Sequence, residues 1–345
     1  MMDKSRLQAI LAGFERARVL VIGDYFLDKY LDIDRRLAET SLETGLEAHQ
    51  VVRVRTSPGA AGTVVCNLRA LQVGVVSLGV IGDDGEGYEL LRGLRERGVD
   101  TTPLMQSGTL YTPTYTKPMM CEPDGRVHEL SRLDIKNRAP LPRELEDGII
   151  ARLQELLPSV QGVIVADQVP ERNYGVMTDR VRQALIDLAA QYPQVVIVAD
   201  SRMRVGEYRG IYLKPNEHEA MRALHGDVRR DITDQEIEAA GRTLSSRTGR
   251  PVFVTVGERG VLVCTESSCR RVPAVPVTGE IDIVGAGDST ISGIVGALCC
   301  EATPEEAALV GNLVASVTIK CIGTTGTASQ EQVVQALGRW QAAHG

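Results

Sequence analysis

The chain has 345 residues, a hydrophobic content of 43% and a formal net charge of −7 at pH 7. This acidic balance argues against nucleic acid and against an anionic membrane surface as the main binding partner. No apolar run approaches the roughly 18 residues that a membrane span needs, and the N-terminal residues do not resemble a signal peptide, so we expect a cytoplasmic protein.

In chain order, short runs rich in β-branched residues alternate with stretches of helical periodicity. The runs cover residues 19–24, 75–84, 162–167, 195–200, 211–219 and 252–260. Near-continuous apolar strands are typical of parallel sheets that are covered by helices on both faces. The alternation predicts an α/β fold with a doubly wound, mostly parallel sheet. We expect residues 1–345 to form one domain.

Two segments, residues 29–59 and 109–135, do not follow this alternation. Apolar and polar residues alternate within them, and Pro-Asp-Gly at 123–125 is typical of a hairpin turn. We expect antiparallel strands outside the main sheet that form a small β lid over a site. Exposed lid strands have free edges, and free edges pair, so we also expect a homodimer through the lid.

The seven cysteines include no CxxC pair. Cys264 and Cys269 are five positions apart, and Cys299 and Cys300 are adjacent. The spacing matches neither a zinc site nor the disulfide framework of a secreted protein. We interpret all of them as unpaired thiols in a reducing compartment.

Most of the predicted strands are followed by glycine, aspartate, asparagine or glutamate. An ordinary strand-to-helix turn explains such residues at any single strand. In an open α/β sheet, however, ligands bind outside the carboxyl ends of the strands. Because the pattern recurs at six strands, we expect a binding site at this edge.

The stretch Gly285-Ala286-Gly287-Asp288 precedes a predicted helix. Its backbone N–H groups and the helix dipole suit a phosphoryl group, and the dipole is expected to keep Asp288 ionised. An ionised Asp288 could accept the proton of an attacking hydroxyl. The alternative is that Asp288 only caps the helix after a tight turn.

Asn216 and Glu219 are three positions apart at the end of a predicted strand. An amide and a carboxylate on one helical face could hold hydrated Mg²⁺ and phosphate oxygens, although the same spacing defines a capping box. Thr255, Gly257 and Gly260 form a turn that could border a nucleotide, or a hairpin without such a role.

Asp24 and Asp28, which we place at the end of the first strand, could accept hydrogen bonds from sugar hydroxyls, or be solvated loop acids. The small residues that open a helix at 57–67, which include Gly59 and Asn67, would let a ligand lie against the backbone. Close packing of the helix on the sheet is the alternative explanation.

Over residues 18–334, these motifs in this order resemble the ribokinase-like (PfkB) family of carbohydrate kinases. The residues 282–288, DIVGAGD, are similar to the family signature D-T-x-G-A-G-D. The Asn216/Glu219 and Thr255/Gly257/Gly260 patterns support the resemblance. The opening VIGDYFLDKYL and the lid are also similar to those of bacterial D-glycero-D-manno-heptose-7-phosphate kinases.

The resemblance implies an enzyme that transfers phosphate from ATP, with Mg²⁺, to a hydroxyl of a sugar or sugar phosphate. Asp288 would be the general base, and the N–H groups of Gly285, Ala286 and Gly287 would form the anion hole. The resemblance assigns Asn216 and Glu219 to Mg²⁺ and the ATP phosphates. It assigns Thr255, Gly257 and Gly260 to the nucleotide. The residues that it assigns to the sugar are Asp24, Asp28, Gly59 and Asn67.

Two further sites follow from the resemblance. Lys117 and Arg132 in the lid could bind the phosphate of a phosphorylated sugar, or could be ordinary surface charges. A monovalent cation such as K⁺ would lie beside the anion hole, between Asp282 and the loop at 322–326.

The chain departs from the heptose-kinase pattern where Ala60, Thr63 and Ile283 stand in place of glycine, asparagine and threonine. The positions expected for phosphoryl transfer are kept, whereas those expected for the acceptor differ. Two other functions therefore stay open: a catalytically silent protein that binds sugar or nucleotide, and a nucleoside kinase of the same fold.

Overall fold

The computed structural model describes residues 2–227, 231–323 and 325–344. Its helices are α1 (Lys4–Gly13), α2 (Ala61–Ala70), α3 (Gly85–Arg95), α4 (Arg143–Leu156), α5 (Asp179–Gln191), α6 (Glu217–His225), α7 (Asp234–Thr248), α8 (Ala286–Leu298), α9 (Pro304–Thr318) and α10 (Gln330–His344). None of these helices is long and apolar enough to cross a membrane.

The strands follow in the same numbering. They are β1 (Arg18–Gly23), β2 (Tyr25–Asp34), β3 (Glu39–Thr40), β4 (Glu47–Ala48), β5 (Val51–Ala60), β6 (Gly74–Leu78), β7 (Val80–Gly82), β8 (Met105–Ser107), β9 (Thr114–Cys121), β10 (Val127–Glu129), β11 (Leu133–Ile135), β12 (Gly162–Asp167), β13 (Val196–Ser201), β14 (Tyr212–Leu213), β15 (Val252–Thr255), β16 (Val261–Cys264) and β17 (Cys269–Val272).

The main sheet has the order β17-β16-β15-β14-β13-β12-β1-β6. Neighbours from β6 to β15 are parallel, and only the edge strands β16 and β17 run antiparallel. The predicted α/β class is confirmed. Strand β1 lies between β6 on one side and β12 on the other, so the strand order reverses its direction beside β1. Such a topological switch point is where open α/β sheets bind ligands.

Helices cover both faces of this sheet, as the continuous apolar strands predict. Along β1, Val19 and Val21 pack into one hydrophobic cluster, and Leu20 and Ile22 pack into the cluster on the opposite face. All four side chains are fully buried. Burial of an aliphatic side chain of this size contributes about 1.5–3 kcal/mol, so the alternation anchors the central strand from both sides.

The lid is a second sheet with the order β10-β9-β2-β5, and β11 pairs with β9. Strands β2 and β5 are antiparallel, as are β9 and β10, whose connection contains Gly125 at a φ of 85°. The prediction of a purely antiparallel lid is wrong, because β2 and β9 are parallel. Long-range parallel pairing leaves no turn signal between the two strands, so the local sequence does not reveal it.

The prediction that all cysteines are unpaired is also wrong. A disulfide joins Cys264 to Cys269, which face each other across the antiparallel strands β16 and β17. A spacing of five positions fits the two strands of a short hairpin, where direct cross-strand neighbours approach within bonding distance.

Candidate active site

A cleft of about 1070 Å³ opens at the carboxyl ends of the central strands, next to the first turn of α8. It is lined by most of the residues predicted for catalysis and nucleotide binding: Asn216, Glu219, Thr255, Gly257, Gly260, Gly285, Ala286, Gly287 and Asp288. The structure thus brings together, from three separate stretches of chain, the motifs identified in the sequence.

The first turn of α8 explains the glycine-rich stretch. Gly285 precedes the helix with a φ of 81°, a left-handed conformation that favours glycine. Asp288 lies in the first turn, and no side chain caps this helix end, so the capping alternative for Asp288 is wrong. The N–H groups of this turn have no acceptor within the helix and suit an anion.

One part of the predicted anion hole needs correction. The N–H of Ala286 donates to the carbonyl of Ile283 at 3.1 Å, so it is already engaged in a turn. The N–H groups of Gly287 and Asp288 follow it in the first turn of α8, where helix geometry supplies no acceptor. The Ala286 N–H is therefore not free for an anion, whereas those of Gly287 and Asp288 are.

From the sequence we expected the helix dipole to keep the Asp288 carboxyl ionised. The structure contradicts this expectation, because the pKa of Asp288 is raised. Burial raises the pKa of Asp288 to about 7, and the negative charge of Asp200 adds to the rise. The positive charges of Lys214 and Arg202 oppose it. Desolvation outweighs the dipole because the carboxyl lies at the base of the cleft rather than at an exposed helix end.

A buried ion pair beneath this turn was missed in the sequence. Lys214 is 3% exposed, and its Nζ lies 2.9 Å from Oδ2 of Asp200. A Cβ atom built on Gly287 would lie 3.5 Å from the same Nζ. The ammonium group therefore lies directly below the predicted phosphoryl site. Both residues follow predicted strands, which is the signal that could have identified them.

Asn216 and Glu219 form a capping box and also line the cleft. The Asn216 side chain accepts the Glu219 N–H at 2.8 Å, and Oε2 of Glu219 accepts the Asn216 N–H at 2.8 Å. The capping alternative is confirmed. Burial, followed by the charge of Asp200, raises the pKa of Glu219, whereas Lys214 lowers it. One Glu219 oxygen is engaged in the cap, which leaves Oε1 for a ligand.

The predicted nucleotide border follows β15. Thr255 ends this strand, a single helical turn covers Gly257–Arg259, and Gly260 leads into β16. A Cβ atom on Gly260 would lie 2.2 Å from the carbonyl oxygen of Val272, and its φ is 92°. Only glycine fits there, so the TxGxxG pattern reflects the packing of the turn against β17.

Part of the predicted sugar site is assembled on the lid. Asp28 lies within β2 rather than at the end of the first strand, which is a correction to its placement. Its Oδ1 lies 3.4 Å from Nζ of Lys117 on the parallel neighbour β9. A Cβ atom on Gly59 would lie 2.7 Å from its Oδ2. Asp28, Gly59 and Lys117 thus form one group.

Asp24 and Asn67 are placed elsewhere. The Asp24 carboxylate accepts N–H bonds from Gln168, Val169 and Val176 at 2.7–2.9 Å, so it holds the loop after β12. Asn67 is fully buried in α2 and donates to the Thr63 carbonyl. Neither side chain is presented to the cleft, which argues against their predicted role in sugar binding.

Arg132 is also in the lid, but it is paired. It makes two hydrogen bonds to Asp134, at 2.7 and 2.9 Å, and its guanidinium lies 4.1 Å from the centre of the Tyr115 ring. Burial of Asp28, opposed mainly by Lys117 and to a smaller extent by Arg132, raises the pKa of that carboxyl. The structure therefore brings Arg132 near the Asp28 group.

The predicted cation site is only partly described. Asp282 Oδ1 accepts the N–H of Val284 at 3.0 Å and Oδ2 accepts that of Gly323 at 3.1 Å, so the carboxylate joins two loop segments. Thr324 lies outside the described residues. Within residues 2–227, 231–323 and 325–344, no group of three or more His, Cys, Asp or Glu side chains could hold a metal ion. The monovalent-cation site therefore stays a prediction.

Ala60 marks a second departure from the resembled pattern. It has a φ of 52° and a ψ of −118° at the start of α2, where the heptose-kinase pattern has glycine. A side chain in this region costs about 1–3 kcal/mol and persists only where the surrounding structure holds it. Ala60 thus adopts a positive φ that a glycine at this position would adopt without this cost.

A mostly parallel α/β sheet with an uncapped helix N-terminus and a carboxyl group at its cleft, together with a small second sheet, is the arrangement expected of a small-molecule phosphotransferase. The description "pfkB family carbohydrate kinase" matches residues 17–331. The chain belongs to the pfkB family of carbohydrate kinases, enzymes that transfer phosphate from ATP to an alcohol group.

Two relatives are proteins named "Bifunctional protein HldE". The one from Citrifermentans bemidjiense is 32% identical over 329 residues, which cover 93% of this chain and 64% of that protein. The one from Trichlorobacter lovleyi is 27% identical over 339 residues, which cover 97% and 66%. The chain thus spans about two thirds of the length of these relatives.

Solved structures agree on the fold. Arabidopsis thaliana ribokinase, solved with ribose and ATP, matches with a TM-score of 0.66 at 17% identity, covering 93% of this chain and 98% of that one. A putative phosphofructokinase from Staphylococcus aureus matches with a TM-score of 0.69 at 17% identity, covering 93% and 97%. At this identity the likeness establishes the ribokinase-like fold alone.

Proposed function

We propose that this kinase phosphorylates a hydroxyl of a phosphorylated sugar, with D-glycero-D-manno-heptose 7-phosphate as the first candidate. The observation that carries the kinase assignment is the uncapped first turn of α8, where Asp288 adjoins free N–H groups at the base of the cleft. The resemblance to heptose-7-phosphate kinases and the likeness to the HldE proteins support the candidate acceptor.

In the proposed reaction, Asp288 accepts the proton of the acceptor hydroxyl as its oxygen bonds to the γ-phosphorus. The bond from this phosphorus to the bridging oxygen breaks, and ADP leaves. The N–H groups of Gly287 and Asp288, with the Lys214 ammonium below them, stabilise negative charge on the phosphoryl oxygens. Closure of the lid excludes water and limits ATP hydrolysis.

Mg²⁺ would neutralise charge on the ATP phosphates when bound. Glu219 has a free Oε1 in the cleft, and Asp200 lies in the same wall, so these carboxylates are the residues that would hold it. Asn216 orients Glu219 through the capping box. No step of the proposed mechanism uses a monovalent cation, since Asp282 is engaged with backbone groups.

The two alternatives make different demands on the cleft. A catalytically silent binding protein has no need for a carboxyl with a pKa near 7 beside free N–H groups, so the Asp288 environment favours an enzyme. A nucleoside kinase differs only in its acceptor, so a comparison of acceptors in an activity assay distinguishes it from a sugar-phosphate kinase.

We expect the purified protein to form ADP from ATP and D-glycero-D-manno-heptose 7-phosphate faster than with the corresponding free heptose, ribose or adenosine. The experiment is a coupled ADP assay across these acceptors, with product identification by mass spectrometry. Turnover of adenosine above all sugars would favour the nucleoside kinase. Calorimetric binding of ATP and a sugar without turnover of any acceptor would favour the silent protein.

We also propose that the chain forms a homodimer through the lid. Strand β5 lies at the edge of the lid sheet, and it exposes Val51, Val52 and Val54 by 44–57%. Nearby, Leu42 and Leu46 in the β3–β4 hairpin are more than two-thirds exposed. Contiguous apolar side chains beside a free strand edge are typical of surfaces that are covered by a second chain.

The double change Val52→Glu and Val54→Glu should convert the dimer to a monomer, because two charges would be buried in the apolar contact. Light scattering at micromolar concentration measures the mass. Tyr88→Glu, at a side chain that is 63% exposed on α3 outside the lid, is the matched control and should remain dimeric. A monomeric wild-type protein at the same concentration would contradict the proposal.

A further inference from the structure

Four basic side chains line the cleft, and one of them has no acidic partner. Lys214 pairs with Asp200, whereas Arg259 and Arg271 both pair with Asp234 at the rim. The four are Arg202, Lys214, Arg259 and Arg271. Among the described residues, Arg202 forms no ion pair. Its side chain donates only to the neutral Oε1 of Gln168, at 3.3 Å.

The basic groups of the lid, by contrast, are already neutralised. Lys117 lies 3.4 Å from Asp28, and Arg132 makes two hydrogen bonds to Asp134. To bind the anion of a ligand, Lys117 or Arg132 would have to leave its carboxylate partner or contact both anions at once. Arg202 needs no such exchange, because its planar guanidinium has free donors that match the oxygens of a phosphate.

Arg202 and the proposed base, Asp288, line the same cleft. Burial raises the pKa of both Tyr115, on lid strand β9, and Asp288, in α8, and the charge of Arg202 opposes the rise in each. An acceptor must occupy the space between the lid and Asp288, where its reacting hydroxyl lies. Because the charge of Arg202 affects groups on both sides of this space, Arg202 lies beside it.

We propose that Arg202 is the specificity-determining residue that binds a phosphate group carried by the acceptor sugar. This inference rests on the proposed function, which it deepens by assigning the acceptor's anion to a residue of the main sheet edge rather than to Lys117 or Arg132. A bidentate contact from Arg202 would hold the phosphate at one end of the acceptor sugar, while the reacting hydroxyl at its other end lies at Asp288.

The buried Asp24 has a place in this arrangement. It accepts the N–H groups of Gln168 and Val169, and the Gln168 side chain in turn accepts from Arg202. Asp24 thereby fixes the loop that orients the guanidinium. This makes Asp24 and Gln168 positioning residues, and it explains why the first strand is followed by a carboxylate that does not reach the cleft.

The test compares Arg202→Gln, Arg202→Lys and Arg132→Gln in steady-state kinetics with D-glycero-D-manno-heptose 7-phosphate. Arg202→Gln should raise the acceptor KM by about 10- to 100-fold, the loss expected for hydrogen bonds between charged groups, and leave the KM for ATP within about twofold. Arg202→Lys should recover part of the loss. Arg16→Gln, an exposed arginine far from the cleft along the chain, is the matched control.

Calorimetry separates this inference from the proposed function, because it needs no turnover. Wild-type protein should bind heptose 7-phosphate more tightly than free heptose, and Arg202→Gln should reduce that preference. If this holds while no acceptor is phosphorylated, the kinase proposal fails and the Arg202 assignment stands.

Four results would overturn the assignment. The first is an acceptor KM in Arg202→Gln equal to that of Arg16→Gln. The second is a loss confined to kcat, which would place Arg202 on the transferred phosphoryl group. The third is a larger rise in KM for Arg132→Gln than for Arg202→Gln. Equal binding of phosphorylated and free heptose by the wild-type protein would have the same consequence.

Discussion

The change Asp288→Asn is expected to lower kcat for sugar phosphorylation by about 10²- to 10⁴-fold, the usual contribution of a general base. Asparagine keeps the shape of the side chain but has no site for the proton of the attacking hydroxyl. The N–H groups of the α8 turn are unchanged, so binding of ATP by calorimetry should be preserved. The loss should therefore fall on kcat and leave nucleotide affinity intact.

The pH profile of the wild-type enzyme tests the same role. Because burial raises the pKa of Asp288 to about 7, the carboxyl becomes protonated as the pH falls through neutrality. A protonated base cannot accept the hydroxyl proton, so kcat/KM should decline below about pH 7 and reach a plateau above it. The residual activity of Asp288→Asn should lack this acid limb.

Sugar-dependent ADP formation is the measurement, and Asp187→Asn, at an exposed position on α5, is the matched control with full activity. Activity of Asp288→Asn within about tenfold of the wild type would show that another group takes the proton. An acid limb that persists in the variant would show that the titration belongs to a different residue.

The change Lys214→Met is expected to destabilise the protein by about 3–5 kcal/mol, since it leaves the buried Asp200 carboxylate without its partner. It also removes the positive charge below the α8 turn, so kcat should fall in any variant protein that remains folded. Chemical denaturation, followed by the fluorescence of the single tryptophan, measures the free energy of unfolding.

The matched partner is the double change Lys214→Met and Asp200→Asn, which removes both charges. Replacing both members of a buried pair costs far less than breaking it, so the double variant should regain most of the lost stability. It should not regain activity. Lys320→Met, at an exposed lysine, should leave stability nearly unchanged. Additive losses in the double variant would show that the two residues do not interact.

Much of the site was predictable because its parts are local. A glycine before a helix and a carboxyl in its first turn are defined by four consecutive residues, and the Asn216–Glu219 pair by a spacing of three. The φ of 81° at Gly285 and the two capping-box bonds bear out these patterns. The α/β class was predictable for a similar reason, since strand and helix periodicity are read within a dozen residues.

The roles that the sequence assigned less well depend on partners far away in the chain. Asp24 was predicted to bind sugar, but its oxygens are taken by N–H groups more than 140 positions later. Lys117 was predicted to bind a sugar phosphate or to be an ordinary surface charge, and the parallel pairing of β2 with β9 places it against Asp28. The spacing of residues within a short stretch of sequence does not predict such long-range contacts.

The sequence by itself determined the α/β fold class, the family and the backbone geometry of the α8 N-terminus, because each is defined by local motifs whose residues lie within a few positions of one another. Only the tertiary structure decided the raised pKa of Asp288, the partner of each lid cation and the unpaired guanidinium of Arg202. These depend on burial and on charges that meet across strands, and desolvation at the base of the cleft outweighs the helix dipole that the sequence alone reveals.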